Sequence, residues 1–121
     1  MTAPEAIAEL AHAAAPSASP QLSAEGFACL RWLASTYVWW KTPEEAMQFP
    51  SRVAAQVMNL GTWDDLNKLA ETTGEDYLRE VLQHVEAGQL DARSWNYWHY
   101  RLGLAEYGKR PVPAMPVRKT A

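Results

Sequence analysis

Cysteine and long apolar runs are scarce in this chain of 121 residues. Its single cysteine, Cys29, excludes an internal disulfide and a four-cysteine zinc site, and its apolar surroundings favour a small buried side chain over a nucleophile. No apolar stretch reaches the roughly 20 residues of a membrane span. Glu5 and Glu9 stand where a signal peptide would need positive charge. We therefore expect a cytoplasmic protein.

Motifs that bind phosphate or metal ions are missing from the sequence. Neither GxxxxGK[ST] nor GxGxxG occurs. The three histidines show no metal-ligand spacing: His12, His84 and His99. The acidic pairs Asp64-Asp65 and Glu75-Asp76 fall at predicted helix starts, where negative charge is favourable, and neighbours on a helix diverge by about 100°. We expect no cofactor, no metal ion and no enzymatic activity.

Strand patterns are also missing, since no long alternating run and no Asn-Gly or Asp-Gly turn occurs. Apolar residues instead recur at helical spacing in short segments. Most segments open on a side chain that can accept the first free amide hydrogens of a helix: Ser23, Thr42, Ser51, Thr62 and Asp91. The predicted fold is all-α, a compact bundle of five to six short helices.

Proline and small residues delimit this helical region. Residues 1–21 are rich in alanine, proline and serine, which predicts a flexible arm. Residues 22–105 form the predicted helical domain. Residues 106–121 contain three prolines and the cations Lys109, Arg110, Arg118 and Lys119, which predicts an extended, basic, polyproline-like tail.

Aromatic residues are concentrated in the last predicted helix, Asp91–Leu104, which Gly103 should end. One face of this helix holds Trp95, Trp98, His99 and Leu102. The opposite face holds Tyr97, Tyr100 and Leu104, next to Arg93. A helix with two aromatic faces packs on its own core and on a second layer or a partner. The predicted core residues are Trp95, Trp98, Leu102, Val81 and Leu82.

A further aromatic pair, Trp39 and Trp40, ends the first predicted helix. Such a pair is either a lid on the core or a contact surface. Because tryptophan, tyrosine and arginine dominate protein–protein hot spots, we expect a protein partner. The candidate partner-binding residues are Trp39, Trp40, Tyr97, Tyr100, Arg101, Lys109 and Arg110. An ordinary surface or a homodimer face is the alternative.

A running pattern within residues 50–104 carries a family resemblance. It consists of Val57, Met58, Gly61, Asp64, Asp65, Leu69, Gly74, Leu78, Arg79, Glu80, Val81, Leu82, Leu90, Arg93, Ser94 and Trp98. This pattern, with the preceding WWKTPEEAMQFP, resembles a short bacterial domain of unknown function that is encoded beside nucleotidyltransferases of the AbiEii toxin type. By that neighbourhood such proteins are thought to be antitoxins. The resemblance implies a protein that binds and neutralises the nucleotidyltransferase.

Two other functions stay open. The pairs Arg93 and His99, and Arg79 and His84, resemble the Arg-x(4–6)-His motif of HEPN ribonucleases, in which arginine would stabilise charge at the phosphate and histidine would act as a base. Residues 51–73 are compatible with a helix–turn–helix regulator. The second helix of that unit is acidic and the net charge is −3, so nucleic acid is not the expected partner.

Overall fold

The computed structural model describes residues 21–117, and this part of the chain contains six α-helices and no strand. They are α1 (Ala24–Tyr37), α2 (Pro43–Ala46), α3 (Pro50–Leu60), α4 (Trp63–Thr73), α5 (Glu75–Gln83) and α6 (Ala92–Arg101). The predicted all-α class is confirmed. The predicted arm lies outside the described residues, apart from Gln21. None of the six helices is long and apolar enough to cross a bilayer.

Side-chain caps set the starts of four helices, as predicted. Ser23, Thr42, Thr62 and Asp91 each accept a hydrogen bond from the backbone N–H three residues later. The start of α3 differs from the prediction, because the helix begins at Pro50 rather than after Ser51. Proline at the first helical position has a preset φ and no amide hydrogen that needs a partner, so α3 starts without a side-chain cap.

The core lies between α1, α3 and α4, and α5 and α6 close it from the other side. Helix α3 packs against all five other helices. Trp98 of α6 is fully buried, and its Nε1–H donates to the Met58 carbonyl of α3 at 2.9 Å. The predicted core residues are confirmed, since Trp95, Trp98, Leu102, Val81 and Leu82 are all at most 7% exposed. Cys29 is likewise buried.

The start of the tail is more ordered than the sequence predicts. Glu106 and Arg110 exchange two backbone hydrogen bonds of 2.7 and 2.8 Å, which close a five-residue loop. Gly108 makes this loop possible with φ +81°, a value that other residues rarely adopt. The prediction of an extended segment from residue 106 is therefore wrong for residues 106–110. A proline excludes a helix only where it stands, and residues 106–110 contain no proline. The prolines of the tail therefore give no information about this loop.

Residues 111–117 form neither helix nor strand, but they pack along α6 as a strap. The Trp95 Nε1–H donates to the Pro113 carbonyl at 2.8 Å, and Val112 and Met115 pack against the core. Replacing Trp95 with phenylalanine should release this strap, because the hydrogen bond disappears while most apolar contact remains. We expect lower heteronuclear ¹⁵N NOE values at Ala114 and Met115, because the strap gains motion on the ps–ns timescale. Unchanged values would show that apolar packing alone holds the strap.

Gly61, in the connection between α3 and α4, has no room for a side-chain methyl group. A Cβ atom added at Gly61 would lie 2.6 Å from the Val57 carbonyl oxygen and 2.8 Å from a Leu66 methyl carbon. Because the first of these is a backbone atom, the chain must shift. We expect Gly61→Ala to lower the free energy of unfolding by about 1–3 kcal/mol in urea denaturation, the usual cost of overpacking. An unchanged midpoint would contradict this close approach.

Candidate protein-contact surface

The tryptophan pair lies on the surface at the end of α1. Helix α1 ends at Tyr37, and Val38 turns inward to the core in place of the tryptophans. Trp39 is 74% exposed and Trp40 is 55% exposed, and their rings meet edge to face with centroids 5.8 Å apart. Trp39 and Trp40 are therefore not a lid on the core. That they form a contact surface stays a prediction.

A groove that we call the Trp40 groove lies beside this pair, with Trp40 and Phe49 as its exposed aromatic lining. The apolar residues that line it are Val38, Ala46 and Val53. Its volume is about 170 Å³. Since pockets for small-molecule ligands usually measure about 300–1,000 Å³, this groove suits a single side chain of a partner.

Positive charge borders the Trp40 groove. The Arg52 guanidinium lies over the Phe49 ring, 4.5 Å from its centroid. Arg52 Nε is 3.7 Å from a Glu86 carboxylate oxygen, and both side chains are exposed, so this ion pair is weak. Lys41 contributes a second cation to the lining. Phe49 and Arg52 were not predicted as contact residues. Neither stands out in the sequence, and only the fold brings them beside Trp40.

The Glu45 carboxylate, which is influenced by the charge of Lys41, is a capping group at the start of α2. Its carboxylate accepts a hydrogen bond from the Thr42 backbone N–H at 3.1 Å. That hydrogen bond, helped by the Thr42 hydroxyl and Lys41, lowers the pKa of Glu45 from its ordinary value. Glu45 thus stays ionised as part of the capping box at the start of α2.

The α6 candidates form a second, separate cluster. Arg101 donates to the Tyr97 hydroxyl at 2.9 Å and to Asn67 of α4 at 2.8 Å. The bond to Asn67 joins α6 to α4, and the bond to Tyr97 holds the Arg101 side chain along α6. Tyr100 is exposed and is the α6 candidate with most open surface. The exposed Trp63, which directly follows the cap residue Thr62, packs edge to face on Tyr97. Trp63 was not predicted as a contact residue.

Two of the predicted tail cations, Lys109 and Arg110, lie in the closed loop, and the other two, Arg118 and Lys119, lie outside the described residues. Lys109 and Arg110 are exposed, and both pair with Glu106, at 3.3 and 3.7 Å. Within residues 21–117, no hydrogen bond, ion pair or ring contact joins the Trp39–Trp40 pair to the α6 cluster or to this loop. The seven predicted residues therefore lie in three local groups.

The two arginine–histidine pairs are not brought together as a site. His99 stands six positions after Arg93 on one helix, which turns their side chains to different faces and separates them by about 9 Å along the axis. Arg93 is exposed, whereas His99 is 4% exposed and its Nδ1 lies 2.7 Å from the Trp95 carbonyl. Arg79 donates to the Leu102 carbonyl and pairs with two acids of its own helix.

Metal-binding geometry is missing from residues 21–117, where no three or more side chains of histidine, cysteine, aspartate or glutamate converge. Every buried side-chain nitrogen or oxygen in this range has a hydrogen-bond partner. The described fold and surface thus define a small helical bundle with an aromatic groove bordered by cations. No family model, no curated protein and no solved structure matches the chain.

A tyrosine supports the end of α1 that carries this surface. The Tyr37 hydroxyl donates to Asp65 at 2.5 Å and accepts from the Thr62 backbone N–H at 3.1 Å. Burial and, after it, the hydrogen bond to Asp65 raise the pKa of Tyr37 above 10.0.

Replacing Tyr37 with phenylalanine should remove these links, and we expect a loss of about 1 kcal/mol in urea denaturation at pH 7, the usual net value of a hydrogen bond. Because the folded-state pKa is raised, the unmodified protein keeps this contribution below pH 10 and loses it as the pH rises further. The difference between the two proteins should therefore shrink in alkali. A difference that is constant with pH would contradict the role of the hydroxyl.

Proposed function

We propose that the protein is a cytoplasmic antitoxin that binds and neutralises an AbiEii-type nucleotidyltransferase by direct protein contact, with no catalysis of its own. One observation carries the proposal: the exposed aromatic side chains of Trp39, Trp40 and Phe49 are gathered around a groove of side-chain size. Grouped aromatic surface is typical of protein-interaction sites and of binding hot spots. The sequence resemblance supplies the class of partner.

The environments of His99 and Arg79 support contact rather than catalysis. A general base needs a ring nitrogen within reach of its substrate. The His99 ring instead packs at a tilt of 56° against the Trp95 ring, with centroids 4.2 Å apart, and is enclosed in the bundle. The Arg79 side chain, which belongs to the other pair, is occupied by the Leu102 carbonyl and by Glu75 and Asp76. A ribonuclease would need both groups of a pair at one open site.

Charge also supports the proposed partner. A nucleotidyltransferase holds its metal ion and nucleotide with acidic residues, so its active-site region attracts cations. The contact surface offers Lys41 and Arg52 at the groove, and the closed loop offers Lys109 and Arg110. Because the loop is closed by its own backbone hydrogen bonds, presenting these cations costs less ordering than a free tail would.

Co-expression with the nucleotidyltransferase encoded by the neighbouring gene tests the proposal. We expect the nucleotidyltransferase alone to stop growth, co-expression of this protein to restore growth, and the two proteins to elute together from a size-exclusion column. Separate elution would contradict neutralisation by direct contact. Growth arrest by this protein expressed alone would favour the ribonuclease alternative.

A further inference from the structure

The geometry points to a chemical preference of the Trp40 groove: it takes a segment of a partner protein in which a large apolar side chain stands next to a carboxylate. The apolar side chain would fill the groove, and Arg52 would bind the carboxylate. This inference rests on the proposed function only in requiring a protein partner. It does not require that the partner be a nucleotidyltransferase.

The lining of the groove sets the apolar half of this preference. Val38, Ala46 and Val53 are all buried residues, so little more than their groove-facing surface is open to solvent. Trp40 and Phe49 add two exposed aromatic rings. A partner side chain that enters this space removes apolar surface from water on both molecules, at about 25 cal/mol per Å². Leucine, methionine or phenylalanine fits this lining.

Arg52 accounts for the preference of the groove for a carboxylate. Its position over the Phe49 ring holds the guanidinium at the edge of the groove, and a guanidinium can bind a carboxylate through two parallel hydrogen bonds. Its present carboxylate, Glu86, is 3.7 Å away, longer than a hydrogen bond. A partner carboxylate can therefore replace Glu86 at little cost. The Phe49 ring restricts the Arg52 guanidinium before a partner binds, so less side-chain ordering is needed on binding.

The other charges around the groove agree with an anionic partner. Lys41 has no ion-pair partner within residues 21–117, and Glu45 is held in the α2 capping box. The remaining polar lining, Gln56 and Gln89, is neutral. The groove therefore presents two cations and no uncommitted carboxylate to an incoming segment, since Glu86 faces Arg52. Charge complementarity favours an acidic segment over a basic one.

A pair of fragments that differ only in the carboxylate tests this preference on the full chain. The probes are N-acetyl-phenylalanine and N-acetyl-phenylalaninamide, titrated into ¹⁵N-labelled protein. We expect the acid to shift the indole N–H resonance of Trp40 and the Nε–H resonance of Arg52. The amide should bind roughly fivefold more weakly, the upper range for an exposed ion pair.

Variants of two arginines, Arg52 and Arg93, complete the test. In Arg52→Gln the preference for the acid should fall to what Lys41 alone contributes, whereas in Arg93→Gln, which changes an exposed arginine outside the groove, the full preference should remain. The indole resonance of the buried Trp98 verifies that each variant is folded. Arg52→Lys keeps a positive charge and should retain part of the preference.

Several outcomes would overturn the inference. They are equal binding of the two fragments to the unmodified protein, shifts at Trp63 and Tyr97 instead of Trp40, and an acid preference that is undiminished in Arg52→Gln. Self-association that is abolished by Arg52→Gln, seen in sedimentation velocity, would assign the groove to a second copy of the chain. Failed co-elution with the nucleotidyltransferase, together with an intact acid preference, would refute the proposed function but not this inference.

Discussion

Replacing Trp98 with alanine should lower the free energy of unfolding by roughly 3–5 kcal/mol, the usual cost of removing a buried tryptophan. Trp98 is fully buried, so the substitution leaves a cavity in the core. It also leaves the Met58 carbonyl without its hydrogen-bond donor. Since small domains are stable by only about 5–15 kcal/mol, the loss is a large share of the total. Urea denaturation followed by circular dichroism measures it.

Two further variants separate the causes of this effect. Trp98→Phe fills most of the space but cannot donate to Met58, and we expect a loss of about 1–3 kcal/mol from the unsatisfied carbonyl. Tyr100→Ala, on the same helix but exposed, should change stability by about 0.5 kcal/mol or less. Similar unfolding midpoints for Trp98→Ala and Tyr100→Ala would contradict the central place of Trp98 in the core.

Removing the two aromatic rings of the groove should have the largest effect on binding. Trp40→Ala should weaken binding to the proposed nucleotidyltransferase partner by roughly 30-fold or more, the effect of losing a binding hot spot. The double variant Trp40→Ala, Phe49→Ala should abolish detectable neutralisation. Both side chains are largely exposed, so the fold and the unfolding midpoint should hardly change. Calorimetric titration of the purified pair measures the affinity.

Trp32 provides the matched control for this experiment. It is a tryptophan of α1, it is 58% exposed, and its ring lies 4.6 Å from the Lys68 ammonium of α4, outside the groove. Trp32→Ala should leave affinity and growth rescue unchanged. Equal loss of binding in Trp32→Ala and Trp40→Ala would show that the groove is not the contact site.

Local signals explain how much of the fold could be predicted. A cap such as Asp91 depends on the residue itself and on amides three positions later, so sequence alone is sufficient. The buried face of α6 follows from helical spacing in the same way. Both were confirmed. The closed loop at Glu106 was missed because its backbone pairing depends on Gly108, whose positive φ carries no periodic signal.

The contact surface could be predicted only in part. Trp39 and Trp40 stand out by residue type, but whether they cover the core depends on where α1 ends. It ends early, at Tyr37, whose hydroxyl is bound to Asp65 and Thr62. Likewise, Arg101 and Tyr97 are visibly one helical turn apart, whereas the bond from Arg101 to Asn67 joins residues 34 positions apart. Long-range pairing of this kind leaves no trace in a single sequence.

The burial of Trp98 has a consequence for synthesis on the ribosome. The largest fully buried side chain belongs to the last helix, and its partner carbonyl, Met58, is 40 residues earlier in the chain. A nascent chain that ends before α6 already contains Trp40 and Phe49 but has no Trp98 to complete the core. At about 5–20 residues per second, the bundle can close only seconds after these residues are made, once α6 has been synthesised. We expect chains truncated before α6 to be cleaved by proteases faster than the full chain.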